Sequence, residues 1–220
     1  MSVGSNIRAL AFKRRLKAIQ SFVGAACLVA LPFLGQLFLR QLSVITKQPL
    51  VATPWWFYVV CFWLAAVLLY VGTYLWKRAG HATQGAKGEA AIATLLHPLK
   101  AEGWRIQYGL RDRRVGDIDV SLISPTGKGF TIDVKSHGGQ VRVRDRKLYR
   151  QYGKQSFPFE KDFLEQAKKQ ALVLQELKGL GSVTPMIVFS KATVAIKAPV
   201  AGVHVCNQAA LVGLLQQLSR

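Results

Sequence analysis

The sequence predicts a mixed α/β domain carried behind a hairpin of two membrane-spanning helices. Two long uncharged apolar runs fill the first third, and all eleven acidic residues lie beyond them. The remainder alternates between strand-period and helix-period segments. A chain of 220 residues has room for that division. A net charge of +19 beside a 50 % apolar composition excludes a disordered basic tail, which would lack the apolar residues. Mean hydropathy of +0.20 with a pI near 10.3 points the same way, to two unlike parts in one chain. Cys27, Cys61 and Cys206 are too scattered for a disulfide framework or a zinc cluster.

Residues 18–39 carry no charge, nor do residues 48–76, whose apolar core begins near Pro54. Each run exceeds the roughly 18 apolar residues that a bilayer-crossing helix needs. Neither has the polar stripe of a soluble core helix. Trp55, Trp56 and Tyr58 at one end of the second run, with Tyr74 and Trp76 at the other, suit the two membrane interfaces. The first run is too long for the core of a secretory signal, and a second run follows closely. Arg8, Lys13, Arg14, Arg15 and Lys17 precede the first run, and Lys77, Arg78 and Lys87 follow the second. Only Arg40 and Lys47 lie between, so the positive-inside rule puts both termini in the cytoplasm.

The expected division is a basic cytoplasmic N-terminus (1–17), a transmembrane helix (18–39), an external loop (40–53), a second transmembrane helix (54–76), a linker (77–87) and a cytoplasmic domain (88–220). The corresponding location is the cell inner membrane.

In the cytoplasmic part a helix is expected from Gly88, with Ile92, Leu95, Leu96 and Leu99 at helical spacing and Pro98 kinking or ending it. A short strand is expected over 104–110. Residues 117–124 alternate, with Ile118, Val120 and Leu122 on one face and Asp117, Asp119 and Ser121 on the other. Ser124-Pro-Thr-Gly-Lys128 has turn chemistry. Phe130, Ile132 and Val134 then alternate with Thr131, Asp133 and Lys135. Residues 141–152 read as one further strand rich in cations. A helical stripe over 160–178 (Phe163, Ala167, Ala171, Leu174, Leu177), strands over 186–189 and 203–206, and a helix over 208–218 complete the pattern.

Folding the two alternating runs about residues 124–128 pairs Ile123 with Gly129. Asp119 then faces Asp133, and Asp117 faces Lys135. Like charges opposite each other weaken a sheet, so two adjacent carboxylates call for a counter-ion. A divalent cation is the simplest, and Mg²⁺ takes one or two carboxylates with waters and a phosphate. Lys135, on the same face, would sit beside it. Asp117 reads as a solvated or salt-bridged partner of Lys135. Glu89 reads equally as a ligand or as an acid favoured at a helix start.

An Asp, an Asp-x-Lys on the next strand and the hairpin between them resemble the PD-(D/E)xK nuclease superfamily. With Gly88-Glu89, Gly116-Asp-Ile-Asp119, Pro125-Thr-Gly127, Phe130-Thr-Ile-Asp-Val-Lys135, Gly139 and Gln166-Ala167, the sequence resembles the nuclease-related domain (NERD) family across most of residues 85–189. The resemblance implies a restriction-endonuclease-like mixed sheet flanked by helices and phosphodiester hydrolysis with Mg²⁺ (or Mn²⁺). Carried over, the catalytic positions are Glu89, Asp119, Asp133, Lys135 and Gln166, with Asp119, Asp133 and Glu89 as metal ligands. The sequence departs from the family where Asp133 stands for a common Glu, Val120 for a His after the first Asp, and Ser136-His137 for an Asn-aromatic pair.

Arg142, Arg144, Arg146, Lys147, Arg150 and Lys154, interleaved with Tyr149 and Tyr152, form the other signal. On one strand, residues 142, 144 and 146 would share a face that attracts a phosphate backbone without reading sequence. The same cations could grip anionic lipid. The expected function is a membrane-anchored Mg²⁺-dependent nuclease acting on nucleic acid, DNA before RNA, with a homodimer left open. The rivals are a tethered nucleic-acid-binding module without turnover and a lipid-binding scaffold.

Overall fold

The structure is a computed structural model that describes residues 5–47, 49 and 52–220. It divides into two compact units, Asn6–Thr83 and Gln84–Arg220. Residues 1–4, 48, 50 and 51, which belong to the expected N-terminal segment and external loop, lie outside the described residues.

The first unit is helical. Helix α1 (Ser5–Thr46) runs through the basic segment and into the stretch read as a loop. Nothing between Asn6 and Lys17 breaks a helix, and Arg, Lys, Leu and Ala all favour one. Helix α2 (Trp55–Leu96) likewise continues through residues 77–87, where Ala79, Ala82 and Ala86 supply propensity against Gly80 and Gly85. The helix expected to begin at Gly88 is therefore the last part of a longer one. Within the unit, Ala11, Ala18 and Ala25 on α1 and Ala65, Gly72 and Ala79 on α2 are buried at seven-residue spacing. A Cβ on Gly72 would come within 2.5 Å of the Phe22 ring. Such small-residue seams let apolar helices approach closely. The outward side chains include Phe33, Leu37, Phe38, Trp55 and Trp63. Windows of mean hydropathy 2.1 and 2.0 make both helices long and apolar enough to cross a membrane. Gln36, an amide within the first run, accepts from the Thr53 hydroxyl at 2.6 Å and the Thr53 N–H at 3.1 Å.

The second unit is mixed α/β. After α2 a 3₁₀ turn carrying Pro98 ends the helix, as expected. Strands β1 (Arg105–Asp112), β2 (Gly116–Ile123) and β3 (Gly129–Lys135) form an antiparallel meander. Strands β4 (Gln140–Arg144), β5 (Lys147–Tyr152) and β6 (Gln155–Pro158) follow, then α3 (Phe163–Lys178), β7 (Val183–Phe189), β8 (Thr193–Val194), β9 (His204–Asn207) and α4 (Leu211–Ser219). The main sheet has the order β1-β2-β3-β7-β9, with β3, β7 and β9 parallel. A smaller sheet has the order β6-β5-β4-β8.

The alternation on β7 shows how the main sheet is covered. Met186 and Val188 pack into a core with Ile92, Leu96, Val120, Leu122, Phe130, Ile132, Leu211 and Leu215. Ile187 and Phe189 point the other way, into a second core with Phe163, Leu164, Ala167, Val141 and Leu148. Helices α2 and α4 thus cover one face, and α3 with the small sheet covers the other. Helix α3 is fixed at both ends. The Asp162 carboxylate accepts the Glu165 N–H at 3.0 Å, and Gly179 closes the helix in the left-handed region at φ 59°.

The strand expected over 141–152 is instead the β4–β5 hairpin. Asp145 and Arg146 turn it at φ 52° and 58°, two successive left-handed residues whose twist suits a two-residue hairpin. Such turns usually carry Asn-Gly or Asp-Gly, so an Asp-Arg turn leaves little trace in the sequence.

Candidate active site

The β2–β3 hairpin has the expected register, from Val120↔Ile132 to Ile123↔Gly129. Beyond Val120 the ladder stops and the two strands part. Asp119 does not pair with Asp133 as a ladder partner. Its Oδ2 accepts the Val134 N–H at 2.7 Å, which replaces the missing rung. Even-numbered residues of β3 fill the core under α2, so Thr131, Asp133 and Lys135 turn toward α3.

Asp133 is 3 % exposed, and its counter-charge is Lys135. The ammonium donates to Oδ1 at 2.9 Å and stands 2.7 Å from Oδ2, though only the Oδ1 contact has hydrogen-bond geometry. Asp133 Oδ2 is consequently a buried acceptor with no donor, as are Thr131 Oγ1 and Gln170 Oε1. Lys135 Nζ also stands over the Phe163 ring, 4.4 Å from its centroid, a cation–π contact that restrains the ammonium.

Asp117 departs from its expected partner. It pairs with Arg111 at 3.3 Å, directly across β1–β2, and both side chains are largely exposed. The divergence of β2 from β3 takes it away from Lys135. Its backbone carbonyl accepts the Nε2 of Gln170, a fully buried amide on α3. Gln170 did not stand out in the sequence, although a Gln within the stripe of Phe163, Ala167, Ala171 and Leu174 is the usual trace of a buried polar contact.

Glu89 lies well inside α2, so the acid-at-a-helix-start reading does not apply to it. Gly88 explains its placement. A Cβ there would come 2.9 Å from Ser190 Oγ, so the glycine lets α2 approach the end of β7. Burial, and next the charge of Asp117, raise the Glu89 pKa. Asp119 is pushed up to about 8, first by burial and then by Asp133, with a smaller push from Glu89. The Val134 N–H and Lys135 oppose that rise. Three carboxyl groups therefore share one field, with one ammonium among them.

Lys135 and Gln166 line one cleft of about 440 Å³ with His137, Arg150, Phe159, Lys161 and Phe163. Asp119, Asp133 and Glu89 are not in its lining, and Lys135 links them to it. His137 is enclosed by Phe159, Phe163 and Phe189, with ring centroids 5.2, 5.6 and 6.5 Å away. Burial, then Arg150 and Lys135, hold its imidazole below the ordinary pKa.

The hairpin divides the six cations expected to act together. Arg142 pairs across with Tyr149, and Arg144 with Lys147, on one face. Arg146 is in the turn, and Lys154 is in the turn that joins β5 to β6. Arg150 lies on the opposite face with Leu148, and of the six it alone reaches the Lys135 cleft.

The donor set suits a hard divalent cation. Two carboxylates repel each other and one of their oxygens lacks a donor, while Mg²⁺ needs only one or two carboxylates beside water and phosphate. Among the described residues no three His, Cys, Asp or Glu groups come together to hold one ion, so the expected trio of Asp119, Asp133 and Glu89 is not assembled as a three-ligand site. Cys206 is not a competing nucleophile, because burial raises its thiol to about 12.

Residues 84–190 match the family model of the nuclease-related domain. These residues are a nuclease-related domain. The NERD match begins at the first residue of the α/β unit and ends just after β7. It encloses Glu89, Asp119, Asp133, Lys135 and Gln166. No curated protein and no solved structure matches the chain.

Proposed function

We propose that the chain is a membrane-anchored, Mg²⁺-dependent nuclease that hydrolyses phosphodiester bonds, DNA being the first candidate. The observation that carries this reading is the meeting of Asp119, Asp133 and Lys135 where β2 and β3 part, inside a NERD domain. Asp119 and Asp133 would hold Mg²⁺ (or Mn²⁺), with Glu89 contributing directly or through water. When bound, the ion polarises the phosphoryl oxygens and lowers the pKa of water.

The protein groups do the rest. The Val134 N–H fixes the Asp119 carboxylate. Lys135, restrained by Phe163, donates toward the attacking water and the charge that grows on the phosphoryl oxygens. Gln166, on the cleft wall, orients that water or a neighbouring phosphate. As water adds to phosphorus it gives up a proton to solvent, the P–O bond to the leaving oxygen breaks, and that oxygen takes a proton from solvent.

The proposed anchor is the pair of segments 18–39 and 54–76, with 1–17, the linker 77–87 and the domain 88–220 on the cytoplasmic side of an inner membrane and 40–53 outside. The run of basic residues flanking both spans supports that orientation. The test is cleavage of labelled DNA by the full chain in detergent under a Mg²⁺ titration. Metal-dependent cleavage that disappears in Asp133→Ala supports the reading. Equal cleavage by that variant rejects it.

A further inference from the structure

Resting on the nuclease reading, one surface beside the cleft indicates which form of nucleic acid the site takes. Among the described residues of Gln84–Arg220, only two aromatic side chains are substantially exposed: Tyr152 at 47 % and Phe157 at 43 %. Both lie on the same face of the small sheet. Phe157 is directly opposite Arg150, and Tyr152 is two residues from Arg150 on the same strand. Arg150 lines the cleft that contains Lys135, and its guanidinium rests 5.1 Å from the Tyr152 ring centroid. Among the described residues, Arg150 has no carboxylate partner.

One edge of the Tyr152 ring lies close to the Gly139 backbone. A Cβ on Gly139, at φ 89°, would stand 3.0 Å from Tyr152 Cε1, so the bare glycine makes room for the ring beside the chain that leaves β3. An arginine with one exposed aromatic residue beside it on its strand and another opposite it on the next, lining a cleft that holds Lys135 and Lys161 against one carboxylate, Glu160, has the chemistry of a stacking platform with a phosphate anchor. In a duplex the bases already stack on one another, and their faces are not free to use such a platform. Only unpaired bases present them. A lipid headgroup would use the cation and leave the two rings idle.

We propose that the site takes single-stranded nucleic acid or an unpaired end, with bases stacked on Tyr152 and Phe157 and the intervening phosphate on Arg150, which leads the next phosphate to Lys135.

The test is binding of fluorescein-labelled oligonucleotides of about 20 nucleotides, DNA and RNA, against a duplex of the same sequence, by the full chain in detergent with EDTA. The single strand binds at least about tenfold more tightly than the duplex. Tyr152→Leu and Phe157→Leu, which keep bulk and lose the π-face, each weaken single-strand binding by about 5- to 150-fold. Tyr152→Phe and Phe157→Trp retain it. Duplex bound as tightly as single strand, or leucine variants that bind like the wild type, would overturn the proposal. Because EDTA prevents turnover, a chain that binds in this way and never cleaves would reject the nuclease reading alone. A chain that cleaves duplex in preference would reject the single-strand proposal alone.

Discussion

The Oδ2 of Asp119 accepts the Val134 N–H at 2.7 Å, joining β2 to β3 one step past the end of their ladder. The carboxylate therefore has a structural duty as well as a chemical one. Asp119→Ala would orphan that N–H and lower stability by about 1–3 kcal/mol. Asp119→Asn keeps an acceptor there and removes the charge.

That charge sets a pH dependence in the metal-free protein. Raised from an ordinary 3.8 to about 8, Asp119 contributes stability that is fully present below 3.8 and is lost as pH rises through about 8. Thermal unfolding in chelator should thus show the Asp119→Asn variant gaining on the wild type between pH 5 and pH 8. Parallel pH profiles for the two proteins would contradict the crowding of carboxylates described above.

Lys135 has two separable roles. Lys135→Ala should reduce cleavage by about 10²–10³-fold, as loss of a positioned donor does. It should also lower stability by about 3 kcal/mol, because Asp133 is left buried without its counter-charge. Lys135→Arg keeps the charge and should recover most of the stability while cleavage stays impaired, since a planar guanidinium cannot take the place of a point ammonium. Chemical denaturation and cleavage rates, measured together, separate the two effects.

Gly139 should be intolerant of any side chain. At φ 89° with the Gln151 carbonyl 2.9 Å from its added Cβ, Gly139→Ala should cost about 1–3 kcal/mol in urea unfolding. Gly109→Ala, at φ 63° with open space around it, meets the backbone strain alone and should cost less.

The hairpin register and the Asp119, Asp133 and Lys135 cluster were legible because strict alternation around a strong turn leaves one possible register. The other features leave weaker traces in the pattern of residues. Once β2 and β3 part beyond Val120, Asp117 is left beside Arg111, its partner across β1–β2. The Asp145–Arg146 turn lacks the glycine that would reveal it, so the six cations read as one strand and Arg150 was grouped with residues that face away from it. Helices α1 and α2 outran the apolar runs because hydropathy marks where a helix is greasy, and propensity decides where it stops.

The proposed topology is checked by labelling a chain whose three native cysteines are replaced. A membrane-impermeant maleimide should modify Ala52→Cys in intact cells and Arg220→Cys only after lysis. Labelling of both in intact cells would contradict the orientation.

The most direct measurement counts Mn²⁺ bound to the full chain at about pH 8, where Asp119 ionises. Spin-resonance titration should find one ion per chain in the wild type and in Gln166→Ala, and none in Asp119→Asn or Asp133→Asn. Undiminished binding in both asparagine variants would contradict a cation site at these two carboxylates.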